Sequence, residues 1–178
     1  VLGFFVSNSL IGIYEIGWSL AMALFFAGYS VSRTIFPKLS ELAAAGNHEQ
    51  VAELTETALV FSGVVAIPGV VGAVILGDRL LRFYGPEFSE GHAVLMVLVL
   101  FSLFSSYERQ LVSTLNAVDR PDLTFRANGL YFLLNLVGNV LLVSQYGWIG
   151  AAIATSASVA FSLALTYYYT TSLLPVSV

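Results

Sequence analysis

The chain has 178 residues, 57% of them hydrophobic and only 10% charged, with seven Lys+Arg against eleven Asp+Glu for a net charge of −4. Soluble globular chains carry about 25% charged residues, so a soluble domain is excluded, as is disorder, which requires low hydrophobicity and high net charge. The small, mixed charge excludes a nucleic-acid surface, which needs a clustered basic face. The lack of cysteine excludes disulfides, thiolate metal sites and palmitoylation.

A helix crossing a bilayer takes about 20 apolar residues, so the chain has room for roughly five or six. Uncharged runs predict a stub at 1–6, closed by Ser7-Asn8-Ser9, and five full spans near 14–35, 56–81, 92–115, 127–145 and 149–171. The runs lack the alternation of a membrane strand, and backbone groups in lipid must bond within their own segment. The expected fold is therefore an all-α integral membrane bundle. Its last two spans share one uncharged stretch, broken only at Ser144-Gln145-Tyr146-Gly147-Trp148. Because the sequence opens and closes inside apolar runs, it is expected to be part of a longer protein.

Cations set the orientation. Arg33, Lys38, Arg109, Arg120 and Arg126 fall in or near the connections on one side, and only Arg79 and Arg82 on the other. The positive-inside bias puts the Pro37–Glu56 and Asn116–Arg126 connections in the cytoplasm. Tyr14, Trp18, Phe83, Tyr84, Tyr146 and Trp148 suit an aromatic belt at the opposite interface. Within the Pro37–Glu56 connection, Leu39, Leu42 and Ala43 share one face of a short helix that Gly46-Asn47 ends. Asn47, with Gln50 three residues on, is spaced to cap the next helix. The link is expected to lie on the membrane surface.

Span four carries the most informative pattern. Ser102, Ser105, Ser106, Arg109, Ser113 and Asn116 fall on one helical face, with Leu98, Leu100, Phe101, Leu103, Phe104 and Leu111 opposite. A polar stripe ending in a guanidinium is costly against lipid, so it should face the bundle interior or a wet cavity. Arg109 then has two readings: a cation for an anionic substrate, since its planar fork suits phosphate oxygens, or a side chain snorkelling to headgroups beside Glu108. Asn128, Asn135 and Asn139 repeat the pattern on span five, as donors to sugar hydroxyls, as ion ligands, or as links between helices. Glu15, at the other mouth, is a gate or coupling carboxylate or else a boundary residue among headgroups. Pro68-Gly69 should kink span three or admit a close neighbour. No Gly-rich phosphate loop or nucleophile elbow occurs, and His48 and His92 sit in or beside opposite loops. An enzyme is therefore not expected, and no catalytic residue, metal site or cofactor is assigned.

Several strings, in order, carry a resemblance. They are Gly12-Ile13-Tyr14-Glu15, Ile35-Phe36-Pro37-Lys38-Leu39-Ser40-Glu41-Leu42, Tyr84-Gly85-Pro86-Glu87-Phe88, Leu115-Asn116-Ala117 before Arg120-Pro121, and Tyr146-Gly147-Trp148-Ile149-Gly150-Ala151-Ala152-Ile153-Ala154-Thr155. Together they resemble the polysaccharide-biosynthesis flippases of the multidrug/oligosaccharidyl-lipid/polysaccharide exporter superfamily, in the C-terminal half. The resemblance implies a MATE-like bundle of 12 to 14 helices in two lobes, of which residues 1–178 form part of the second and the N-terminal lobe is missing. It further implies that a lipid-linked oligosaccharide crosses the cytoplasmic membrane by alternating access, its pyrophosphate met by a cavity cation such as Arg109. A cation-coupled multidrug exporter of the same fold and a non-transporting membrane scaffold are the alternatives.

Overall fold

The computed structural model describes residues 8–176, and the expected stub at 1–6 lies outside them. Within those residues the chain forms α1 (Asn8–Ala44), α2 (His48–Arg82), a 3-10 helix (Pro86–Gly91), α3 (His92–Ala117) and α4 (Pro121–Leu173). Four helices are long and apolar enough to cross a membrane, as an integral membrane bundle requires. The last two expected spans are thus joined in one 53-residue element, with no loop between them. A single residue does the work expected of the Ser144–Trp148 stretch: Gly147 takes φ 58° and ψ −137°, a conformation glycine reaches without steric cost.

The two arms of α4, residues 121–146 and 148–173, run antiparallel. Gly150 packs directly on the Leu142 carbonyl, and Gly138 meets Ala154. Asn135 Nδ2 donates to Thr155 Oγ1 at 3.1 Å, and Ser162 Oγ lies 3.4 Å from the Ala127 carbonyl oxygen. Each step back along one arm is a step forward along the other. An arm of this length reaches ~39 Å at 1.5 Å per residue, more than the hydrocarbon thickness.

At the other end of the chain, α1 differs from the expected break after residue 35. The helix continues through Pro37 to Ala44. A proline in a helix interior costs about 3 kcal/mol, and the extension is held by burial. Leu39 is fully buried in a cluster with Val51, Ala52, Leu174 and Val176. The helix then stops where the sequence says it should. Gly46, at φ 70°, donates to the Ala43 carbonyl and Asn47 to the Leu42 carbonyl, the paired bonds of a Schellman turn. The Asn47 side-chain oxygen Oδ1 caps α2 by accepting from Gln50 N at 3.3 Å.

The central helix is α3, which packs along α1, α2 and α4, while α1 and α4 scarcely meet. Apolar burial gives little drive in lipid, so close approach and hydrogen bonds do the holding. A Cβ on Gly28 would lie 2.7 Å from Ser106, Ser102 Oγ donates to the Ala21 carbonyl at 2.6 Å, and Gln110 Nε2 to the Gly28 carbonyl at 2.9 Å. Thr55 and Thr114 share a hydroxyl bond of 2.9 Å across α2 and α3. The far side of α2, with Val60, Phe61, Val64, Ile67 and Ile75, is exposed and suited to lipid. The separation of α1 from α4 leaves the crevices in which the polar residues gather.

Candidate functional site

The site is built on α1. Phe25, Tyr29 and Arg33 recur every four residues and so share one face. Across from them, α3 presents Arg109, whose guanidinium lies 5.9 Å from the Phe25 ring centre and 5.7 Å from that of Tyr29. The Arg33 guanidinium lies 5.1 Å from the same Tyr29 ring, and its Nε donates to Tyr29 Oη at 2.7 Å. Two cations thus share one aromatic ring, an attraction worth about 0.5–1 kcal/mol each where exposed and more where dry. They border a cavity of about 400 Å³ together with Ser32, Ser113 and Asn116, and no carboxylate among the described residues lines it. The ion pairs formed by the described residues, Lys38–Glu41, Arg82–Asp78 and Arg120–Asp122, lie elsewhere. Both forks therefore keep donors for an anion.

Behind Arg109 lies a smaller pocket of about 190 Å³, lined by Phe25, Ser105, Glu108, Asn128 and Tyr131 among others, with Arg109 common to both spaces. Glu108 accepts a hydrogen bond from Ser162 on the second arm of α4. It makes no pair with Arg109.

Toward the other end of α1 is a cavity of about 720 Å³ with a different lining: Tyr14, Glu15 and Trp18 from α1, Asn135 and Asn139 from the first arm of α4, and Thr155 from the second. Asn139 Nδ2 donates to Asn135 O at 2.8 Å and to Asn135 Oδ1 at 3.2 Å. Asn135 therefore links the arms, and both amides line the cavity.

The expected stripe on α3 divides. Ser105, Arg109, Ser113 and Asn116 reach the two cation-bordered spaces, whereas Ser102 and Ser106 are fully buried, Ser102 bonded to α1 and Ser106 packed against Gly28. Glu15 meets Asn135 and Asn139, residues 120 or more positions away, in the larger cavity. Pro68 and Gly69 line none of these spaces. Helix α2 runs unbroken through Pro68, and Gly69 receives the Leu24 side chain in close contact. Sequence reasoning used Arg33 only to set orientation, named Glu108 only as the neighbour of Arg109, and passed over Tyr131. The signal for Arg33 was its four-residue spacing from Tyr29; nothing local marked Glu108, whose partner is 54 residues away.

Comparison with known proteins agrees with the resemblance drawn from the strings above. The chain is 40% identical over 158 residues to the probable flippase AglR of Haloferax volcanii, covering 87% of this chain and 33% of that protein. It is 28% identical over 173 residues to the probable low-salt glycan biosynthesis flippase Agl15 of the same organism, covering 97% and 37%. The solved lipid II flippase MurJ, in an inward closed conformation, shares the fold with a TM-score of 0.76 at 19% identity, over 90% of this chain and 36% of that one. The chain spans about a third of the length of the curated relatives it matches. Flippases are transporters and catalyse no chemical reaction. The family described as lipid II flippase MurJ matches residues 7–176, and the chain belongs to it.

Proposed function

We propose that this chain forms part of one lobe of a flippase that carries a lipid-linked oligosaccharide or polysaccharide precursor across the cytoplasmic membrane by alternating access. The observation that carries the reading is the acid-free cavity bordered by Arg33 and Arg109. Two guanidiniums held on one ring, with Ser113 and Asn116 beside them, match the oxygens of a pyrophosphate. The excess of cations at this end supports a cytoplasmic position for the cavity, where a newly made lipid-linked precursor would be loaded. In this reading the two arms of α4 each cross the bilayer, giving five crossings within a MATE-like bundle. The opposing lobe comes from the remaining length that relatives possess. Glu15, with Asn135, Asn139 and Thr155, forms the outer cavity, where a coupling cation or sugar hydroxyls would be met.

The test is export by the full-length protein in a strain lacking its own flippase. Wild type restores surface glycan, and Arg109→Ala at normal abundance does not. Unchanged export by Arg109→Ala would overturn the site. Drug resistance without glycan rescue would point instead to a multidrug exporter of the same fold.

A further inference from the structure

We propose that Glu108 is a proton-binding site whose occupancy is linked to the anion held by Arg109. The inference rests on the anion-site reading above and adds a titrating group to it. Glu108 lies where α1, α3 and both arms of α4 converge, in the pocket immediately behind the cation-bordered cavity. It accepts a hydrogen bond from the Ser162 hydroxyl. From α1 the pocket receives Phe25, from the arms of α4 Asn128, Tyr131 and Val159, and from α3 Phe101, Ser105 and Arg109. Arg109 and Tyr131 are thus the titratable groups that face Glu108 there. Tyrosine stays neutral at physiological pH and arginine stays charged. Any proton gained or lost in this pocket belongs to Glu108.

Arg109 joins the two spaces. With the cavity bordered by Arg33 and Arg109 empty, the Arg109 guanidinium is, among the described residues, the cation that shares the pocket with the Glu108 carboxylate, and it favours the ionised form. A pyrophosphate bound to Arg109 spends that positive charge and brings negative charge near. Both effects favour the protonated carboxyl, and the interior screens them poorly. Linkage is reciprocal, so protonation of Glu108 must strengthen anion binding by the same factor. One proton therefore accompanies the anion into the lobe, and alkaline conditions release both.

The test uses the full-length protein in detergent, titrated with citronellyl-diphospho-N-acetylglucosamine, a pyrophosphate diester with no ionisation of its own between about pH 5.5 and 8. For wild type, affinity is expected to fall roughly tenfold as pH rises through the titration of Glu108. Glu108→Gln, which still accepts from Ser162, binds tightly and with no pH slope. Ser162→Ala removes the donor that favours the carboxylate, so the fall moves to higher pH. Arg109→Ala loses binding at every pH. A wild-type slope in Glu108→Gln, or no slope in wild type, overturns the proton site. If Glu108→Gln does not fold, an unshifted profile in Ser162→Ala overturns it. Binding by Arg109→Ala equal to wild type overturns the underlying anion-site reading instead.

Discussion

The two ends of α1 face opposite chemistry. Near Arg33 the helix lies close against α3, and the space between them holds two guanidiniums and no carboxylate. Near Glu15 it stands away from α4, and the larger space holds a carboxylate, two amides and several aromatic rings but no cation. The two charged residues are 18 positions apart, ~27 Å along a helix, and beyond a Debye length of about 8 Å they do not feel one another through water. A single helix therefore carries a wall that is cationic at one end and anionic at the other. A ligand with a phosphate pole and a sugar pole has a preferred direction along such a wall.

The sharpest way to break this comparison is to remove the cationic end. Arg33→Ala with Arg109→Ala is expected to weaken binding of the diphosphate probe by roughly 100-fold or more, since hydrogen bonds to charged groups contribute about 1.5–3 kcal/mol each. Surface glycan in the complemented strain should fall to background. Tyr29→Leu keeps both cations but removes the ring they share. A cation–π loss of about 1 kcal/mol predicts roughly fivefold weaker binding in the same titration. Glu15→Gln tests the other end. Its distance from the guanidiniums predicts probe affinity within about twofold of wild type, while glycan export slows several-fold. If Glu15→Gln weakened probe binding as much as Tyr29→Leu, the two ends would be one site.

Much of the fold was legible because lipid is a demanding solvent: uninterrupted apolar runs have few alternatives to helix. The caps at Gly46 and Asn47 and the break at Gly147 were legible for the same kind of reason, since special backbone conformations call for particular residues. The extension of α1 through Pro37 was not. Local chemistry argued for a stop there, and burial of Leu39 under Leu174 and Val176, residues more than 130 positions away, decided otherwise. The polar stripe on α3 was not divided, because periodicity says which residues share a face and not which helix packs on it; α3 is covered on several sides, so Leu98, Phe101 and Leu111 are buried as well. Ser102 and Ser106 meet α1 at Ala21 and Gly28, while Ser105, one position before Ser106, opens on a pocket. Glu15, Asn135 and Asn139 could be singled out one by one. Their meeting in one cavity depends on the α4 hairpin and on how far α1 stands from it.

The smallest expected effect comes from outside both ends. Helix α2 lines none of the three spaces, so a change in its contact with α3 should alter stability and leave both chemistries intact. Thr55→Val is the cleanest such change, because it keeps the shape and removes only the hydroxyl that shares a bond with Thr114. The Thr114 hydroxyl retains its 3.1 Å bond to the Gln110 carbonyl, so no buried group is left without a partner. Hydrogen bonds between membrane helices average about 0.6 kcal/mol, which predicts a fall in melting temperature of at most about 2 °C. Probe affinity and export should match wild type. A several-fold loss of export with little loss of melting temperature would mean that α2 moves against α3 during transport. The division of labour between the ends of α1 would then have to include a third helix.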